Sequence, residues 1–290
     1  MKRLQLTLVG LVALLFATGG NCSRERVESM NKMNEGVIAA QQKRFVDAVK
    51  LLESAGAIDP KNDQVFRNLA IVHMEMHKFE RARDDLQKAI ALTPDAAGLH
   101  EKLGTVLMEL GDWQAAKPAL AKAIELEPAL FKAHYKLAQV AEQLDDPQSA
   151  LKHYTDSVTR GPRFLEAYSA LGRLYAELGY LDQATQVLQE AVKVALGGTE
   201  EEANVHQLLG TVYQQQKKFD DAVREFRAAL DIDDGMREAL FSLGWTYHLQ
   251  GNKEEATRFL KKFVDTAGAE APAHYVKAAR DKLSEMAEGF

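Results

Sequence analysis

The chain has 290 residues, 46% of them apolar and 27% charged, with a formal charge of −6 at neutral pH. That apolar share can build a core and excludes bulk disorder, and the acidic balance excludes the basic footprint that nucleic acid demands. Helix formers (Ala, Leu, Glu, Lys, Gln) dominate and β-branched runs are scarce, so an all-α protein is expected. With one cysteine, Cys22, neither an intrachain disulfide nor a cysteine zinc site can form.

The N-terminus, "MKRLQLTLVGLVALLFATGGNC", reads as a secretory signal peptide over residues 1–21. Lys2 and Arg3 give a positive start, and an apolar run of 13 residues follows from Leu4 to Phe16. A bilayer-spanning helix needs roughly 20 such residues. The cysteine directly after this run resembles a bacterial lipoprotein signal, in which Cys22 would be acylated and become the mature N-terminus. Gly19 and Asn21 depart from that pattern, and ordinary cleavage after Gly19 is the alternative. Residues 22–28 are polar and read as a tether. The localisation expected is export to the periplasm with a lipid anchor, the outer membrane favoured.

Beyond the tether the chain repeats. Pro60, Pro94, Pro128 and Pro162 are spaced 34 apart, each ending a helix. With proline at position 32, repeats run 29–62, 63–96, 97–130, 131–164 and 165–198, then 203–236 and 237–270 after a four-residue insertion. Position 8 is Gly36, Ala70, Gly104, Ala138, Gly172, Gly210 and Gly244. Position 20 is Ala48, Ala82, Ala116, Ala150, Ala184, Ala222 and Ala256. Two helices approach closely only where side chains are minimal, so these positions predict paired helices. Thr199 and Glu202 in the insertion read as a capping box that starts the sixth repeat's first helix early. Pro118 falls in a second helix, near its first turn, where it is tolerated. Residues 271–290 hold a capping helix and tail.

This pattern closely resembles the tetratricopeptide repeat family over residues 29–270. The resemblance implies an all-α, right-handed superhelical solenoid of seven helix pairs plus a C-terminal capping helix. It also implies a concave face lined by positions 2, 5, 9 and 12 of each repeat. On that face, or edging it, stand Met33, Arg67, Ile71, Met74, Lys102, Met108, Lys132, Tyr135, Lys136 and Gln139, an apolar strip with a basic flank. Methionine suits adaptable apolar surfaces, and the flank would suit an acidic or amphipathic segment of a protein partner. Phe241, Trp245 and His248 form a second candidate patch, or pack on the capping helix.

Catalysis is not expected. "HMEMH", His73 to His77, has metal-binding i, i+4 spacing but lacks the Glu beside its first His. No cofactor, metal or small-molecule substrate is called for. The function expected is a non-catalytic scaffold at the bacterial envelope, in the manner of pilotins that assist secretin and pilus assembly. An adaptor recruiting peptidoglycan hydrolases, a glycan-binding module and an enzyme using His73 and His77 are the competing readings.

Overall fold

The computed structural model describes residues 24–268 and 273–288, so the signal segment and Cys22 lie outside the described residues. The described residues form fifteen α-helices and no strand. The chain divides into two compact units, Met1–Lys78 and Phe79–Phe290, with the boundary inside the second repeat.

The first unit holds α1 (Arg24–Gln41), α2 (Phe45–Ile58) and α3 (Asp63–Glu75). Helix α1 begins at Arg24, inside the stretch read as a tether. Arg and Glu are good helix formers, and the Ser29 hydroxyl, fully buried, donates to the Ala55 carbonyl at 2.8 Å, tying this turn to α2.

The second unit holds α4 (Phe79–Leu92), α5 (Ala97–Glu109), α6 (Trp113–Leu126), α7 (Phe131–Gln143), α8 (Pro147–Arg160), α9 (Leu165–Glu177) and α10 (Leu181–Val194). It continues with α11 (Glu200–Gln215), α12 (Phe219–Ile232), α13 (Arg237–Leu249), α14 (Lys253–Thr266) and α15 (Ala273–Glu288). The two helices of each repeat from α5 to α14 pack as a hairpin, each second helix packs on the next first helix, and α15 packs on α14. Such a stack buries its core through neighbour contacts alone.

The small residues explain the pairing. All seven position-20 alanines are 0% exposed. A Cβ built on Gly104 would stand 2.5 Å from Leu120, and one on Gly172 would stand 2.6 Å from Leu188. Position 8 is therefore small because the large residue at position 24 of the same repeat fills the space. Where Ala138 replaces glycine, the facing residue is Tyr154, and both are buried.

The hairpin turns share one conformation. Position 15 has positive φ in every repeat: Lys43, His77, Gly111, Asp145, Gly179, Lys217 and Gly251, between 54° and 81°. Only three are glycine, so four L-residues carry left-handed strain. Replacing Lys217 by Gly is expected to raise stability by up to about 1 kcal/mol. Chemical denaturation would show it as a higher midpoint with unchanged slope.

Helix α11 is 16 residues long, against 13 for α5, α7, α9 and α13. Thr199 caps it, accepting from the Glu202 amide at 3.1 Å, so the insertion is absorbed as an extra turn. Helix α6 runs unbroken through Pro118, which stands in its second turn, not its first. Pro118 and Gln114, whose carbonyl loses its partner, are both exposed, so water can satisfy that acceptor. Among the described residues, no helix is long and apolar enough to cross a membrane.

Candidate functional site

Within the second unit, the first helices of consecutive repeats line a groove of about 640 Å³. Its apolar wall comes from Met108 at the end of α5, Trp113 at the start of α6, and Tyr135 and Tyr154 on α7 and α8. Gln139, Gln143, Asn204 and Gln207 add amides, and Glu142, Glu166, Glu201 and Arg173 add charge.

A fixed network forms the floor. The Tyr154 hydroxyl donates to Glu142 Oε2, and Arg173 donates to Glu142 Oε1 at 2.7 Å and to Glu177 at 2.8 Å. The Tyr135 ring sits 5.7 Å from that of Tyr154 and 5.1 Å, edge-on, from that of Phe164. Burial, then the Glu142 hydrogen bond and charge, push the Tyr154 phenol far above its ordinary value. Burial, then Glu166 and Glu142, raise Tyr135 as well. Burial alone would lower the Arg173 guanidinium, but its bonds to Glu142 and Glu177 win and hold it charged. The floor is thus two neutral phenols and one arginine committed to two carboxylates, which fixes rotamers before any partner arrives.

The structure separates the ten residues expected on the binding strip. In the second unit, Met108, Tyr135 and Gln139 line the groove together. Lys136 instead bridges back to α5, with Nζ 2.8 Å from both Glu101 and Thr105. Lys102 and Lys132 are exposed and lie outside the groove lining, Lys132 with Nζ 5.9 Å over the Phe131 ring. The expected basic flank is therefore absent from the groove, whose lining has three carboxylates and one guanidinium. In the first unit, Met33 is core, 8% exposed and clustered with Ala39, Ala48 and Leu52. Ile71 and Met74 are half-buried, and Arg67 donates to Asp63 at 2.6 Å, one turn back on α3.

Glu166, Ser169, Arg173, Asn204 and Gln207 were not singled out from the sequence. They occupy positions 2, 5 and 9 of the fifth and sixth repeats, so the rule that found Tyr135 and Gln139 also reaches them. The methionines and lysines of the strip end in the fourth repeat, two repeats short of the groove's far side.

Elsewhere in the second unit, Phe241 stacks 5.8 Å from Trp245 and lies 4.7 Å from Tyr275 of α15. Lys282 of α15 stands 5.7 Å over Trp245, whose ring meets that of His248 at 5.7 Å. The aromatic patch is thus packed against the capping helix. In the first unit, His73 is buried, while His77 is the exposed left-handed residue of its turn. His77 holds the left-handed position common to the hairpin turns.

A histidine pair, His134 buried and His153 half-buried, joins α7 to α8. His134 Nδ1 stands 3.3 Å from His153 Nδ1 and 3.7 Å from Asp156 Oδ2. Burial lowers both imidazoles from 6.5; Asp156 opposes this for each, while Arg160 acts with burial on His134, Lys117 on His153, and Lys152 on both. A lowered folded value means that the unfolded chain takes up protons first. Stability is therefore full above about pH 6.5 and falls as pH drops from there through the depressed folded values. Melting temperature should decline between pH 7.5 and about pH 5 by this term, and His153→Gln should flatten that slope.

Models of the family described as "Tetratricopeptide repeat" match residues 39–103, 101–162, 163–235 and 208–272. Among solved structures, Pseudomonas aeruginosa pilF aligns with a TM-score of 0.60 at 19% identity, covering 75% of this chain and 97% of its own. A tetratricopeptide repeat protein from Parabacteroides merdae gives 0.61 at 14%, covering 90% and 99%. YrrB, described as "a TPR protein with an unusual peptide-binding site", gives 0.55 at 21%, covering 68% and 97%. At these identities the likeness shows the fold. No curated protein matches the chain.

Proposed function

The chain belongs to the tetratricopeptide repeat family, and from that premise we propose that it is a non-catalytic scaffold of a bacterial envelope, holding a partner's extended segment in the α5–α11 groove. The observation that carries this reading is the groove itself, an aromatic floor pre-set by the Glu142–Tyr154–Arg173 network and flanked by side-chain amides. Amides both donate and accept, so they suit an extended main chain, while Trp113, Tyr135 and Met108 suit its apolar side chains. YrrB's described peptide-binding site is an analogy of fold for this mode. Carboxylates outnumber cations in the lining, which favours an amphipathic segment of neutral or basic character over the acidic one expected from sequence.

The envelope part of the proposal rests on Lys2, Arg3, the apolar run and Cys22. Anchored there, the scaffold would serve assembly of a secretin- or pilus-type machine. The packing of Phe241 and Trp245 against α15 counts against a glycan platform at that patch.

The test is a photo-crosslinking residue placed at Tyr135 and, as a control, at exposed Glu125 on α6, each in the otherwise wild-type chain and in Cys22→Ser. Capture of one envelope protein from position 135 only, through a segment that binds as a synthetic peptide, supports the proposal. Loss of membrane association in Cys22→Ser supports the anchor. Equal capture from both positions removes the groove from the account, and a partner found only in the cytosol removes the envelope.

A further inference from the structure

We propose that His134, His153 and Asp156 form a binding site for a divalent transition-metal ion of the zinc class, stapling α7 to α8. His153 and Asp156 are three residues apart on α8, which places them on one face one turn apart. His134 reaches them from α7, packed alongside. One donor atom from each of the three lies within 4.8 Å of the others.

The distances suit the ion. Zinc bonds of about 2.0–2.2 Å in a tetrahedron place neighbouring donors about 3.3–3.6 Å apart. The Nδ1–Nδ1 separation is 3.3 Å, and His134 Nδ1 to Asp156 Oδ2 is 3.7 Å. The third pair, His153 with Asp156, lies within 4.8 Å, and the part-exposed Asp156 carboxylate can rotate toward the imidazoles. Two imidazoles with one carboxylate leave the fourth position to water, and such a donor set prefers zinc, nickel or copper to the oxygen-seeking calcium and magnesium.

The chemistry of the pair points the same way. Two nitrogens at 3.3 Å hold at most one proton between them, so one always presents a lone pair to the other. A metal ion takes that proton's place and engages both lone pairs. Burial keeps the two rings neutral, the form that ligates. The His134 side chain is 5% exposed, and its orientation is held by His153 and Asp156 at Nδ1 and by the backbone of Pro128. Arg160, 3.9 Å from the other Asp156 oxygen, and the nearby Lys152 and Lys117 act against a cation and would temper its affinity. Tyr135 and Tyr154, the chain neighbours of the two histidines, line the groove. An ion here would therefore brace the helix pair that carries its aromatic floor.

The full chain, stripped with a chelator, would be titrated with Co²⁺ followed by absorbance, then with Zn²⁺ in competition. One equivalent of Co²⁺ with visible bands of tetrahedral intensity is expected, displaced by Zn²⁺, with a melting temperature raised by Zn²⁺. His153→Gln and Asp156→Asn, checked for native helicity, should each weaken binding more than about tenfold. His73→Ala with His77→Ala should leave it unchanged. Absence of stoichiometric binding by the wild-type chain overturns the site. So does undiminished binding in both His153→Gln and Asp156→Asn, or loss of binding in the His73 and His77 variant alone.

Discussion

Gly210→Leu should cost about 3 kcal/mol, and the compensating change Phe226→Ala should return much of it. A Cβ at Gly210 would already stand 2.7 Å from the Phe226 ring, and a leucine adds three more carbons beyond it. Overpacking of this kind forces side chains off rotamer and helices apart, at about 1–3 kcal/mol or more. Phe226→Ala alone should cost about 3–5 kcal/mol through its cavity, since the ring is fully buried. In the double variant each change fills the space that the other empties. A double-mutant cycle by denaturant unfolding, with hydrogen exchange of α11 and α12, should therefore show strong favourable coupling. Additive losses would mean that position 8 is small for some reason other than its facing residue. Gly210→Ala should cost less than Gly210→Leu, because its helix-propensity gain of about 0.5–1 kcal/mol offsets part of the cost of moving Phe226.

Met33→Glu and Met108→Glu should behave oppositely, although both residues read as one strip in the sequence. Met33 is enclosed with Leu52 and two alanines, so the variant loses apolar burial and must hide a carboxylate. A loss of about 4 kcal/mol is expected, with α1 and α2 melting first. Met108 is half-buried at the groove wall with one side on the core, and its variant should lower the melting temperature far less than Met33→Glu while weakening crosslinked capture from Tyr135. Circular dichroism melts and the crosslinking assay, run on both variants, read the two effects separately. A stable Met33→Glu chain would move that residue out of the core, and undisturbed capture by Met108→Glu would narrow the groove to its tyrosine floor.

The sequence by itself determined the all-α class, the repeat length and the helix pairs, because those depend on patterns that recur at fixed spacing. Proline at position 32, alanine at position 20 and glycine or alanine at position 8 each mark a place where the backbone ends or two helices touch. Even the early start of α11 was legible, since Thr199 caps its helix through a bond three residues away. The left-handed turn at position 15 was not, because Lys43, His77, Asp145 and Lys217 share it with three glycines and no residue type betrays it. Tertiary structure alone decided which concave residues meet. Lys136 edges the concave face by its place in the repeat, but Glu101, 35 residues away on α5, holds it. Met33 falls at a concave position of its repeat, yet it clusters with Leu52 of α2 in the core. His134 joined His153 and Asp156 only when α7 lay along α8. Periodicity records where a backbone must turn or come close, but the partner of a side chain is set by the helix packed against it, and that pairing leaves no period to read.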